Sequence, residues 1–193
     1  MVMKMSRGSF IAVEGIDGSG KSSVTRRIND HFPNVVRYSF PNMHNDVGLT
    51  TQYCDDPYAR ALAHAADFRE TWNDMKMDMC EGRTVIADRW KDSMYVYARV
   101  DDVKSRMIDY LHESFPDPNA TIYFDAKPHV VCDRVPEEEE YLCHVADEYS
   151  NLYGLGYPPK RKTDVTRIDI DENTSIESIM MDVITVIDYY NLR

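Results

Sequence analysis

One stretch constrains this chain more than any other: Gly15, Ile16, Asp17, Gly18, Ser19, Gly20, Lys21, Ser22, with two glycines five positions apart and Lys-Ser directly after the second. It follows SFIAVE (9–14), an apolar run of the kind that forms a strand, and it precedes a segment of helical period over residues 21–32. Strand, glycine loop and helix in that order make a phosphate grip. The glycines let successive backbone N–H groups turn inward around a β-phosphate, and the helix N-terminus adds positive potential. In that frame Gly15, Gly18, Ser19, Gly20, Lys21, Ser22 and Ser23 hold a nucleoside triphosphate. Lys21 bridges β- and γ-oxygens, and Ser22 binds Mg²⁺.

A triphosphate grip does not name a reaction, because kinases, GTPases and motor ATPases share it. The chain has no NKxD base-reading motif and no DxxG switch outside the grip itself. At 193 residues it is also small for a motor module, and its 43% hydrophobic content suits one buried core. We therefore expect a single domain over 1–193.

Further apolar runs recur as NVVRYSF (34–40), TVIAD (84–88), ATIYFDA (120–126) and VTRIDI (165–170). Between them lie segments of helical period at about 56–80, 93–114, 128–153 and 175–191. On the first of these Leu62, Ala65, Trp72, Met75 and Met79 form one stripe. Such alternation implies crossover connections and a mostly parallel sheet covered on both faces. PEEEE (136–140) reads as a solvated helix start and PPKRK (158–162) as a basic surface loop.

The 33 Asp and Glu exceed the 22 Lys and Arg by 11, so the chain as a whole is repelled by a nucleic-acid backbone or an anionic membrane. Any anionic ligand must be held by local positive groups. Cys54, Cys80, Cys132 and Cys143 lack CxxC or zinc spacing, which suits reduced, mostly buried thiols. No run approaches a membrane span and the N-terminus lacks a signal-peptide pattern, so a cytoplasmic protein is expected.

The second informative stretch is TVIADRWKDSMYVYA (84–98). A strand ending in Asp88 is the usual place for a carboxylate that orients Mg²⁺, and Arg89 lies next to it at the carboxyl edge of the sheet, where ligands of open α/β folds bind.

VEGIDGSGK followed by DRWKDSMYVYA resembles the thymidylate kinases, whose motifs read EGxDGxGK and DRYxxSxxAY. Phe40 and Pro41 are similar to that family's FP, LAHAADFRE (62–70) to its LFxADR helix, KPHVVCDRV (127–135) to its PxxxxxR approach to the lid, and EEYL (139–142) to the lid's end. IDIDENTSIESI (168–179) is similar to its final strand and helix.

The resemblance implies a P-loop kinase fold with a five-stranded parallel sheet in the order 2-3-1-4-5, helices on both faces and a short lid at about 134–142. It implies ATP with Mg²⁺, a small-molecule nucleotide acceptor, most simply dTMP, and a homodimer. The Trp72, Met75, Met79 stripe is a candidate interface, or alternatively core. Asp17 would bond the acceptor's 3′-hydroxyl, Asp88 would organise metal and attack, and Arg89 would grip phosphate. Tyr97 would exclude a 2′-hydroxyl, and Arg134 would neutralise the moving phosphoryl group.

Several positions depart from the family pattern, and most lie on the acceptor side. The phosphate-binding arginine after FP falls at Asn42 or Met43, the stacking Phe at His64, and the base-reading Arg at Phe68. Met94 and Ala98 replace polar groups, Gly18 stands where some members carry arginine, and acids replace the second lid arginine. His64 and Phe68, four apart on one face, could sandwich a base or equally be core packing. Arg37, Arg60 or Lys160 to Lys162 could supply the missing charge. Two other readings stay open: a kinase for a modified acceptor (5-hydroxymethyl-dUMP, or 5-hydroxymethyluracil in DNA), and an ATP-binding regulatory protein without acceptor chemistry.

Overall fold

The computed structural model describes residues 8–103, 106–154 and 163–191. The five apolar runs become strands: β1 (Phe10–Gly15), β2 (Val35–Ser39), β3 (Thr84–Asp88), β4 (Ala120–Ala126) and β5 (Asp164–Ile170). They form one sheet in the order β2-β3-β1-β4-β5, and every pairing is parallel, as the alternation predicted. Pairing of β1 with both β3 and β4 puts the glycine loop at the carboxyl end of the central strand, where open α/β sheets bind ligands.

Side-chain alternation along β1 divides the core between two faces. Ile11 and Val13 join Val24 and Ile28 of α1 (Lys21–His31), together with Ile179 and Val183 of α8 (Ile176–Asn191). Phe10 and Ala12 instead join Ala65, Phe68 and Met75 of α3 (Pro57–Cys80) and Trp90. Met75 is fully buried, and Trp72 lies 5.7 Å from Phe10 and 5.8 Å from Trp90 between ring centroids. The α3 stripe is therefore core, and Leu62 falls off it with 48% exposure.

Two predicted helices are interrupted for identifiable reasons. The 93–114 segment divides into α4 (Lys91–Val100) and α5 (Arg106–Ser114). Asp102 takes a left-handed φ of 62°, and the Val103 N–H closes back on the Ala98 carbonyl, which ends α4. The 128–153 segment becomes α6 (Pro128–Val131), a 3₁₀ turn (Cys132–Arg134) and α7 (Glu139–Gly154). Pro136 breaks it: Val135, directly before the proline, is extended. α7 then starts with Glu139 and Glu140 in its first turn, as PEEEE predicted. A short α2 (Asp46–Thr51), capped by the Asn45 side chain on the Gly48 N–H, was not foreseen.

The cysteine expectation is corrected in part. All four thiols are free, but Cys80 and Cys143 are exposed and the other two half-buried, since they stand at helix ends or on outward faces. The PPKRK loop lies outside the described residues. Among the described residues no helix is long and apolar enough to cross a membrane.

Met75→Ala should lower unfolding free energy by roughly 2–5 kcal/mol, the range for emptying a packed core position. Urea denaturation checks this. An unchanged midpoint together with a changed sedimentation coefficient would return the stripe to an interface role.

Candidate active site

Two cavities meet at the carboxyl edge of the sheet. The first, about 510 Å³, is lined by Asp17 to Ser23, Arg89, Arg134 and the segment after β5, including Asp171 and Thr174. The second, about 250 Å³, runs between α3 and α4 and is lined by Phe40, Arg60, His64, Phe68, Ser93, Met94 and Tyr97 among others. Asp17 and Arg89 line both.

Backbone geometry shapes the first cavity. Gly15 has φ 143°, and a Cβ there would stand 2.5 Å from the Phe124 carbonyl oxygen, so β4 requires glycine at this point. Gly18 has φ 76°, and its Cβ would meet Val131 at 3.0 Å and Val135 at 3.2 Å. The turn after α6 packs directly on the loop, so a side chain at position 18 would press on Val131 and Val135 as well as strain the backbone. From that turn Arg134 Nη1 donates to the Gly18 carbonyl at 3.3 Å.

Lys21 is buried, and its Nζ donates to the Ile16 carbonyl at 2.6 Å and to Ser19 Oγ at 3.3 Å. Burial, reinforced by Arg89, pushes the ammonium down to about 7. Ser22 and Ser23 are exposed on the first turn of α1.

At the junction, the Asp17 carboxylate accepts from Arg89 Nη2 on one oxygen and from Tyr97 Oη at 2.7 Å on the other. Arg89 stacks over the Tyr97 ring, 5.0 Å from its centroid. Burial favours a protonated Asp17, but Arg89, Lys21 and the Tyr97 hydroxyl together outweigh it and hold the carboxyl below its ordinary range.

Asp88 is placed differently from expectation. It is buried, lines neither cavity, and accepts from Arg37 Nη2 at 2.6 Å, while Arg37 Nε donates to Thr25 Oγ1 at 2.9 Å. The carboxylate therefore sits behind the glycine loop with its charge matched by β2. Ser22 fits a direct Mg²⁺ ligand, as a hydroxyl at the cavity wall. Asp88 fits support of the metal's surroundings from behind.

In the second cavity His64 and Phe68 follow the core-packing alternative and not the base sandwich. His64 and Phe68 rings lie 6.3 Å apart at 37°, the spacing of a tilted aromatic pair in contact, so no slot opens between them. Phe68, 1% exposed, also packs on Phe40, Trp90 and Phe115 and forms the cavity floor. Burial, with Arg89 and Arg60 nearby, pushes His64 down to about 4, so it is a neutral imidazole at physiological pH.

Of the candidate replacement cations, Arg60 lines the second cavity and Arg37 lines neither, and both are ion-paired. Arg37 serves Asp88, and Arg60 donates to Asp101 at 2.9 Å and to the carbonyls of Cys54 and Asp55. Lys160 to Lys162 lie outside the described residues. Asn42 belongs to a buried polar cluster, its N–H on Asp67 at 2.7 Å and its amide on Thr71 at 3.2 Å. Met43 is 44% exposed.

Glu14 was missed by sequence reasoning. It is fully buried on β1, accepts from the Trp90 N–H at 2.8 Å and from Ser93 Oγ, and lies 3.3 Å from the Tyr149 hydroxyl of α7. Burial raises its carboxyl to about 8, with Asp92 adding to the shift against Ser93, Arg89 and the Trp90 N–H. The available signal was a lone charge inside an apolar strand, which needs partners once both faces of the sheet are covered.

Comparison with known proteins comes to the same place. A family model described as thymidylate kinase matches residues 13–151. A probable thymidylate kinase from Methanococcoides burtonii is 33% identical over 147 residues, covering 69% of this chain and 73% of its own. One from Pyrobaculum aerophilum is 30% identical over 145 residues, covering 69% and 76%. The solved thymidylate kinase of Candida albicans superposes with a TM-score of 0.79 at 16% identity, covering 97% of this chain and 94% of that one, a likeness of fold.

The raised Glu14 pKa makes stability depend on pH. The native state keeps a proton that the unfolded chain releases above the ordinary value of 4.5, so this contribution is full below about 4.5 and is lost as pH rises through about 8. Urea titrations at pH 5 and pH 9 should show wild type losing at least about 1.4 kcal/mol relative to Glu14→Gln, the equivalent of one pKa unit. Parallel curves would contradict the shift.

Proposed function

Because the chain belongs to the thymidylate kinase family, we propose that it transfers the γ-phosphoryl group of ATP to the 5′-phosphate of dTMP, giving dTDP and ADP. The observation that carries this is the shared wall: Asp17 and Arg89 line both cavities, so a triphosphate on the glycine loop and a nucleotide between α3 and α4 would bring their phosphates to one guanidinium.

An acceptor phosphate oxygen is already anionic at neutral pH and attacks the γ-phosphorus directly; the bond to the β–γ bridging oxygen breaks and ADP leaves. No side chain has to remove a proton. Catalysis is then positioning and charge neutralisation. Lys21 lies on the donor side of the transferring group, Arg89 between donor and acceptor, and Arg134 over the loop from the 3₁₀ turn. Ser22 would hold Mg²⁺, with the Asp88–Arg37 pair as support, and the metal would supply charge neutralisation to the triphosphate.

Asp17 would hold the sugar 3′-hydroxyl while Tyr97 fills the 2′ side. Phe40, Phe68, Met94 and neutral His64 offer the base an apolar wall with one hydrogen-bonding ring. The homodimer expected from the family needs a surface other than the buried α3 stripe.

ADP release from ATP and Mg²⁺ should be fast with dTMP, abolished in Lys21→Ala, and slowed on the order of a thousandfold or more in Arg89→Ala. Turnover confined to 5-hydroxymethyl-dUMP, or to DNA carrying 5-hydroxymethyluracil, would replace the acceptor. ATP binding without product from any acceptor would remove the kinase assignment.

A further inference from the structure

Arg89 is a non-glycine residue with a φ of 72°. The left-handed region is unfavourable for a residue with a side chain and persists only where its surroundings hold it. Two hydrogen bonds bracket this turn. The Arg89 N–H donates to the Val13 carbonyl at 2.9 Å, and the next N–H, that of Trp90, donates to the Glu14 carboxyl at 2.8 Å. Both acceptors come from neighbouring residues of β1.

The same carboxyl does a second job. Trp90 precedes the first turn of α4 and provides no side-chain cap. Glu14 supplies one from another strand, taking the Trp90 N–H on one oxygen and the Ser93 hydroxyl, from that first turn, on the other. Ser93 in turn accepts from Arg89 Nη1 at 3.4 Å and lies 2.7 Å from the Tyr149 hydroxyl. Glu14 lines neither cavity, so it touches neither nucleotide position.

We infer that Glu14 is the positioning residue for Arg89: by capping α4 from inside β1 it fixes the turn that aims the guanidinium at the junction of the two cavities. This rests on Arg89 acting in phosphoryl transfer, as proposed above. Glutamine preserves the arrangement, since its carbonyl accepts from Trp90 and its amide donates to the Ser93 or Tyr149 hydroxyl. Alanine leaves the Trp90 N–H without its acceptor, and the turn can relax. A displacement of the order of 1 Å at a positioned group costs about a hundredfold in rate.

The test combines kinetics of folded protein with amide exchange. Glu14→Gln should keep kcat within about threefold. Glu14→Ala should lose about a hundredfold in kcat with KM for both substrates changed less than about fivefold, and Glu14→Ala/Arg89→Ala should be no slower than Arg89→Ala. Hydrogen exchange at the Trp90 amide should accelerate in Glu14→Ala and stay slow in Glu14→Gln, a readout that survives even if the acceptor assignment fails. Should Glu14→Ala not fold, Glu14→Asp, which withdraws the acceptor by one methylene, should show the same selective loss of kcat and faster Trp90 exchange. An unchanged kcat per folded molecule in the alanine or aspartate variant, losses that multiply in the double variant, or equal Trp90 exchange in all forms would overturn the assignment.

Discussion

The ion pair between Asp17 and Arg89 joins the two strands that matter most for ligand binding. One partner comes from the loop after β1 and the other from the first position after β3, and these strands are neighbours in register. Both side chains are largely shielded from water, at 34% and 17% exposure, so their attraction is less screened than that of a surface pair. Tyr97 completes the link from α4 with its hydroxyl on Asp17 and its ring under Arg89. Glycine loop, strand end and helix are thereby held in one arrangement by side-chain contacts of the protein itself.

The family departures acquire physical reasons from this frame. At Gly18 a side chain would be strained by the positive φ and would press on Val131 and Val135. At Asn42, one of the two positions where the resemblance would put a phosphate-binding arginine, a neutral amide is tied into a polar cluster around Asp67, a buried carboxylate that also accepts from Asn45 at 3.0 Å. That cluster fixes the loop after Phe40 by hydrogen bonds to uncharged donors. Arg37 and Arg60 are ion-paired with Asp88 and Asp101 as Arg89 is with Asp17, but of the three only Arg89 lines both cavities.

Much of this was legible in the sequence where one physical rule dominates. Short β-branched runs separated by helical periods fixed the strands, their parallel pairing and the place of the glycine loop, because each rests on local pattern and covered faces. Lys21 and Arg89 stood out from the glycine motif and the strand end, Asp17 and Tyr97 only through the family resemblance, and all four line the two cavities. What escaped depends on tertiary partners. Arg37 reads as one more basic residue until β2 is set beside β3 and its guanidinium reaches Asp88. Glu14 reads as part of a motif until α4 and α7 close over it. The two readings of His64 and Phe68 stayed open for the same reason: helix spacing puts them together, but only packing decides whether they face each other or a ligand. The helix interruptions, by contrast, had local signs in Asp102 and Pro136 that periodicity alone overrode.

The central claim is that one guanidinium serves donor and acceptor at once. Calorimetric titration with a bisubstrate compound, adenosine and thymidine joined 5′ to 5′ through a chain of phosphates, tests it most directly. Wild type should bind this compound far more tightly than ATP or dTMP alone, and Arg89→Ala should lose most of that advantage while keeping ATP affinity within about fivefold. Equal affinity for the bisubstrate in wild type and Arg89→Ala, or no advantage over ATP in wild type, would contradict a shared site built around Arg89.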